Sequence, residues 1–225
     1  MAVVNGANEG KSRGRFIALE GGEGAGKSTQ AGLMAQGLRK LGLDVDVTRE
    51  PGGTPGAEAI RTLLLSPPGE GWGAKAEALL FAAARADHVA QRIVPALDRG
   101  TWVICDRFVD SSRAYQGGAG GLGDEAITAL HSFGSDGLRP DLTILLEVDE
   151  EHLAQRLAVR DGDVSDAIGG RGIEYHRAVA KNFLTLTKVD PKAFCVIDGT
   201  GTQEAVHAKV MASVEPLLSD EADRN

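Results

Sequence analysis

The apolar residues of this chain fall into short blocks separated by longer amphipathic stretches. Phe16–Leu19, Val45–Thr48, Trp102–Cys105, Leu142–Val148 and Phe194–Ile197 are short apolar runs, and they predict strands. Between them apolar positions recur at helical spacing, which predicts helices over Ser28–Leu41, Ala57–Leu65, Lys75–Leu97, Asp124–Phe133, Glu150–Arg160, Ile173–Thr187 and Gln203–Leu218. Strands separated by helical pattern give an α/β fold, a five-stranded, mainly parallel sheet flanked by helices on both faces. No internal repeat is present, and a chain of 225 residues buries one good core, so a single domain over residues 1–225 is expected.

Two segments break the alternation. Ser66–Gly73 is rich in proline and glycine and separates two helices. Arg160–Gly172 carries too many glycines and aspartates for a stable helix and has an arginine near each end; bounded by helices, it reads as a mobile lid over residues 160–172. Residues 1–13 are polar and read as a flexible tail, without the apolar centre of a signal peptide, and the acidic residues 219–225 read as a second one.

Composition narrows the partners. A formal net charge of −8 argues against a nucleic-acid polymer as partner and leaves a small anionic ligand gathered by a local cluster of arginines. No apolar run approaches the ~20 residues that span a bilayer, so no membrane association is expected. Cys105 and Cys195 both lie in apolar, strand-like runs, which suits buried reduced thiols in a cytoplasmic protein.

The chemistry begins directly after the first predicted strand. Gly21-Gly22-Glu23-Gly24-Ala25-Gly26-Lys27-Ser28, followed by Thr29, has the G-x-x-x-x-G-K-S spacing of a phosphate-binding loop. Glycines let successive backbone N–H groups turn toward phosphate oxygens, Lys27 brings a positive charge to the β- and γ-phosphates, and the Ser28 hydroxyl is placed to ligate Mg²⁺. A glycine-rich turn needs no ligand in itself, but here the preceding strand and the following helix are both present.

Other charged residues cluster after strands. Asp106 and Arg107 follow Val103-Ile104-Cys105, at the carboxyl end of a strand, where ligands bind in open α/β sheets; Asp106 suits a Walker-B-like role toward Mg²⁺ and Arg107 a phosphate contact. Arg49 and Glu50 follow the second strand, and Arg61 lies on the next helix. Phe81 and Arg85 are four apart on one helix and share a face that could grip a planar ligand, one by stacking and the other by hydrogen bonding, although each also suits an ordinary structural position.

Asp106-Arg107-Phe108-Val109-Asp110-Ser111-Ser112-Arg113-Ala114-Tyr115-Gln116 resembles the signature of thymidylate kinases. Thr48–Thr54, Leu80–Arg85 and the phosphate loop with Glu23 are similar to the same family in the same order. The resemblance implies a P-loop kinase architecture with a mobile lid, ATP-dependent phosphorylation of dTMP to dTDP in dTTP biosynthesis, Mg²⁺, and a homodimer. It further implies that Phe81 stacks on thymine, that Arg85 bonds its O4 edge, and that Ser111, Ser112 and Gln116 lie along the acceptor. Tyr115 would stand against C2′, Glu23 would accept from the 3′-hydroxyl, and Arg49, Glu50, Arg61 and Arg107 would surround or order the acceptor phosphate.

One departure stands out. Relatives with this kind of phosphate loop carry D-R-I-E in the lid, whereas this chain reads Asp166-Ala167-Ile168-Gly169, with alanine in place of the arginine that reaches the ATP phosphates. Arg160 is the first candidate to replace it, with Arg156 and Arg171 as alternatives. Asp198–Gln203 follows the last strand and is either an adenine-side loop or a plain helix cap by Thr202. Another nucleoside monophosphate or deoxynucleoside kinase is the nearest alternative, and a nucleotide-binding switch protein a more distant one, since no N-K-x-D-like guanine-reading segment is present.

Overall fold

The computed structural model describes residues 12–149, 152 and 167–222. Five strands form one parallel sheet in the order β2-β3-β1-β4-β5, with β1 Phe16–Glu20, β2 Val45–Arg49, β3 Trp102–Asp106, β4 Leu142–Glu147 and β5 Phe194–Asp198. β1 lies at the centre, paired with β3 through Leu19 opposite Asp106 and with β4 through Glu20 opposite Leu145. β1 and β3 are adjacent and parallel, so the loops that follow them emerge side by side at the carboxyl edge of the sheet, where open α/β sheets bind their ligands.

The sheet is buried on both faces because successive side chains point oppositely. Ile17 and Leu19 join Met34, Leu38, Trp102, Ile104, Ile144 and Val210 in one cluster, while Phe16, Ala18, Val103 and Cys105 join Ile93, Leu97 and Phe108 in another. The first layer is supplied by α1 (Lys27–Lys40) and α8 (Gln203–Ala222), the second by α3 (Ala74–His88) and its continuation. A third cluster, with Tyr115, Leu145, Phe183 and Phe194, seats α7 (Ile173–Val189). The remaining helices are α2 (Pro55–Leu65), α4 (Val94–Asp98), α5 (Val109–Ser112) and α6 (Asp124–Ser135).

Several boundaries differ from those the pattern predicts. Four strands run one residue further, through Glu20, Arg49, Asp106 and Asp198, because backbone pairing continues past the last apolar side chain. The predicted Lys75–Leu97 helix is α3 and α4 joined by a π-helical turn at Val89–Ile93, just before Pro95, whose ring lacks the N–H a regular turn requires. A second π-helical stretch, Arg113–Ala119, follows α5 where no helix was predicted. α8 reaches Ala222, well into the stretch read as a flexible tail, and Arg15 pairs with its Asp220 at 3.4 Å. The predicted helix Glu150–Arg160, apart from His152, most of the segment read as a lid and the first residues of the chain lie outside the described residues.

Candidate functional site

The phosphate loop turns tightly after β1. Gly24 and Gly26 adopt positive φ values of 71° and 93°, conformations that cost an L side chain 1–2 kcal/mol or so, and Gly26 caps α1. Lys27 opens the helix with its ammonium folded over the loop, donating to the Gly22 carbonyl at 2.7 Å. Burial, followed by the nearby Arg107 charge, lowers its pKa to about 8.

The Ser28 hydroxyl donates to Asp106 at the end of β3, which sets a hydroxyl and a carboxylate side by side above the loop. These are hard oxygen donors, and among the described residues no group of three or more His, Cys, Asp or Glu side chains forms a protein-only cage. The pair therefore fits a Mg²⁺ that takes its other ligands from phosphates and water.

Arg107 has a φ of 71°, a left-handed conformation that a bulky residue keeps only under constraint. The constraint comes from its neighbours. Arg107 donates its backbone N–H to the Leu19 carbonyl at 2.9 Å. Buried Glu20 accepts from the Phe108 and Ser111 amides at 2.9 and 3.0 Å and from the Ser111 hydroxyl at 2.5 Å. The Arg107 side chain is thereby aimed into the crevice, donating to Glu23 at 2.7 Å and Ser111 at 3.1 Å, with its guanidinium 5.2 Å from the centre of the Tyr115 ring. Burial opposes its charge, yet Tyr115, Glu23 and Asp106 together hold its pKa above the ordinary arginine value.

On the far wall, Arg85 donates Nε to Glu50 at 2.7 Å and a terminal nitrogen to Ser112 at 2.8 Å. Glu50 also takes His88 Nδ1 at 3.0 Å, and His88 Nε2 meets Thr48 Oγ at 2.7 Å, so the buried carboxylate is held between two helix side chains. Burial pushes the Glu50 carboxyl up, but Arg85 and His88 outweigh it and its pKa lies below the usual value. Arg49 pairs with Glu58 at 2.9 Å, and Arg61 donates to the Pro51 carbonyl at 2.7 Å.

Most of these residues, though not Glu20, Thr48, Glu58 or His88, line one cavity of about 420 Å³, in the range that takes a small-molecule ligand. It brings together Glu23, Gly24, Gly26, Lys27, Ser28, Thr29, Arg49, Glu50, Arg61, Phe81, Arg85, Asp106, Arg107, Ser111, Ser112, Tyr115 and Gln116. Gly21, Gly22 and Ala25 shape the loop without lining the cavity, and Arg160 and Arg156 lie outside the described residues.

The model of the family described as thymidylate kinase matches residues 19–210. This chain belongs to the thymidylate kinase family. Its similarity to individual thymidylate kinases is extensive: 53% identity to one from Rhizorhabdus wittichii over 205 residues, 91% of this chain and 99% of that protein. A thymidylate kinase from Bradyrhizobium sp. is 46% identical over 93% of both chains, and one from Rhodopseudomonas palustris 47% over 93% of this chain and 92% of its own.

Within this thymidylate kinase family member, sequence patterns missed Glu20, Glu77 and His88. Glu77 lies four residues before Phe81 and His88 three after Arg85, so helical spacing alone places them beside the foreseen pair. Pro51, Leu65, Phe108 and Ile168 also line the cavity. Arg171, a candidate for the ATP phosphates, pairs with Glu77 and lies over the Tyr175 ring at 4.6 Å. The Thr202 hydroxyl accepts from the Ala205 amide at 3.2 Å, as a helix cap does.

Proposed function

We propose that this chain transfers the γ-phosphoryl group of ATP to dTMP, giving dTDP and ADP. The observation that carries this reading is one cleft with a phosphate loop and Lys27 on one side and Phe81, Arg85 and Gln116 on the other, with arginines between them. ATP would lie with its phosphates in the loop. Phe81 would stack on the thymine ring, the Arg85 guanidinium would donate toward O4, and Gln116 would accept from N3–H, with Ser112 beside them.

The acceptor phosphate is already ionised, so no general base is needed. One of its oxygens attacks the γ-phosphorus, the bond from that phosphorus to the β–γ bridging oxygen breaks, and ADP leaves with the electron pair. The protein supplies alignment and charge: Lys27 toward the transferring group, and Arg49, Arg61 and Arg107 toward the acceptor. Glu50 orders Arg85, while Glu23, already paired with Arg107, is available to the 3′-hydroxyl and Tyr115 to C2′ of the sugar. Mg²⁺, held by Ser28 and Asp106 with the phosphates, would supply further charge neutralisation.

The chain is also proposed to act as a cytoplasmic homodimer in dTTP synthesis. Phe133 on α6 is 92% exposed and Leu79 on the adjoining α3 is 56% exposed, which supports contact with a second copy; light scattering after size-exclusion chromatography would read the mass directly. The function itself is tested by ADP release with dTMP, dUMP, UMP, CMP, AMP and GMP as acceptors. The highest kcat/KM is expected with dTMP, and a faster reaction with any purine or ribonucleotide would overturn the reading.

A further inference from the structure

Glu77 is buried on α3, one helical turn before Phe81, and divides its two oxygens between two elements. Oε1 accepts from Gln116 Nε2 at 2.9 Å, and Oε2 accepts from Arg171, at the end of the lid segment just before α7. Arg171 is fixed in turn. Its other terminal nitrogen donates to the Tyr175 hydroxyl at 2.5 Å, and that hydroxyl donates to the Tyr115 carbonyl at 3.3 Å.

A side-chain amide has a donor end and an acceptor end of nearly equal shape, and only its partners decide which way it points. A carboxylate only accepts. Glu77 therefore draws the NH₂ of Gln116 to itself, and Gln116 Oε1, which accepts from none of the described residues, is left as the acceptor end of a side chain lining the cavity. Arg85 supplies donors in the same cavity.

We propose that Arg171, at the foot of the lid, positions the Gln116 amide through Glu77 and so sets which pyrimidine the acceptor cleft takes. This rests on the functional reading above, in which the base lies against Phe81. A donor from Arg85 and an acceptor from Gln116 complement a 4-keto pyrimidine bearing N3–H. They oppose cytosine, whose 4-amino group donates and whose N3 accepts. Without Arg171, none of the described residues holds Glu77 Oε2, so the carboxylate can rotate and its hold on the Gln116 NH₂ is loosened. The Gln116 amide is then free to turn round and present its NH₂ to the base.

The test uses Arg171→Met, Glu77→Gln and Arg171→Lys, with melting curves to establish that each is folded. Glu77→Gln preserves shape and volume, so it probes the same link without deleting a long side chain. The readouts are kcat/KM for dTMP and dUMP and the inhibition constant of dCMP competing with dTMP. Loss of one oriented neutral hydrogen bond should narrow dTMP-over-dCMP selectivity by about three- to tenfold in Arg171→Met and Glu77→Gln. The dTMP-to-dUMP ratio should stay unchanged, because both bases present the same edge, and Arg171→Lys should recover much of the selectivity. Unchanged dCMP selectivity in both variants, or parallel shifts for dUMP and dCMP that signal a generally loosened cleft, would overturn the proposal. A wild-type chain inactive on dTMP would instead overturn the functional reading beneath it.

Discussion

The Arg85 guanidinium meets the Glu50 carboxylate at 2.7 Å with only 4% of either side chain exposed. An ion pair this buried is not a strong source of net stability, because desolvation of both charges offsets most of their attraction. Its consequence is orientation: Arg85 also reaches Ser112, so its direction across the cleft is fixed before any ligand arrives.

Breaking the pair from one side is therefore costly. Glu50→Ala leaves Arg85 buried without its counter-charge, and urea melts should show a loss of about 3–5 kcal/mol. The KM for dTMP should rise as well, with that for ATP much less affected. A loss below about 1 kcal/mol would mean that water or Ser112 compensates Arg85 fully.

Phe81 makes the contrasting case. It lines the cavity, is only half-buried, and belongs to none of the three apolar clusters of the core. Phe81→Ala should raise the KM for dTMP, by roughly tenfold for ~1–1.5 kcal/mol of lost stacking, and leave the KM for ATP and the melting temperature nearly unchanged. Equal damage to both substrates with a large drop in melting temperature would assign Phe81 to the core instead.

Much of the fold was legible because a parallel sheet leaves a simple trace, short apolar runs separated by helical spacing. The phosphate loop was legible because its glycines and Lys27 are contiguous. Strand ends were read one residue short at Glu20, Arg49, Asp106 and Asp198, since polar side chains at the ligand edge of a sheet hide continuing backbone pairing. What local pattern could not carry is pairing across the chain. Glu20 with Ser111, Glu50 with His88 and Glu77 with Arg171 are 91, 38 and 94 residues apart, and nothing in the composition of either partner announces the other.

Arg171 bears directly on the source of lid charge. Ala167 stands where the family resemblance implies an arginine, and Arg171 is engaged by Glu77 and Tyr175 on the acceptor side of the cleft. Arg160 stays the first candidate to act on the ATP phosphates, with Arg156 and Arg171 as alternatives. Arg160→Ala should lower kcat and kcat/KM together by on the order of 10²-fold, with dTMP binding measured without ATP unaffected. Near-normal kcat in Arg160→Ala, Arg156→Ala and Arg171→Ala alike would leave that role to Lys27, Arg107 and the metal.

Glu20 gives a stability signature in pH. Burial, reinforced by the nearby Asp110, raises its pKa to about 7 from an ordinary 4.5. The folded chain thus binds more protons than the unfolded one between these values, and this group's contribution to stability falls as pH rises from 4.5 through 7, by at most about 3 kcal/mol. In Glu20→Gln that dependence disappears. The stability of the variant relative to wild type should therefore improve between pH 5 and pH 8 in urea melts, and a pH-independent difference would sink the assignment.

Lys27 gives the corresponding signature in ligand binding. Its ammonium titrates near 8 in the protein alone because burial and Arg107 disfavour the charge. Phosphates in the loop favour the charged form, so ATP binding should raise the Lys27 pKa and take up protons near pH 8. Affinity should accordingly fall as pH rises from 7 to 9, by up to about tenfold, while calorimetry in buffers of different ionisation enthalpy detects the proton uptake. Lys27→Met should abolish both effects and lower turnover by on the order of 10²–10³. It should not lower the melting temperature, since it removes a desolvated cation and leaves an aliphatic stem in the same place. A wild-type affinity flat across pH 7–9, or a variant turning over within tenfold of wild type, would show that the Lys27 ammonium does not act on the phosphates.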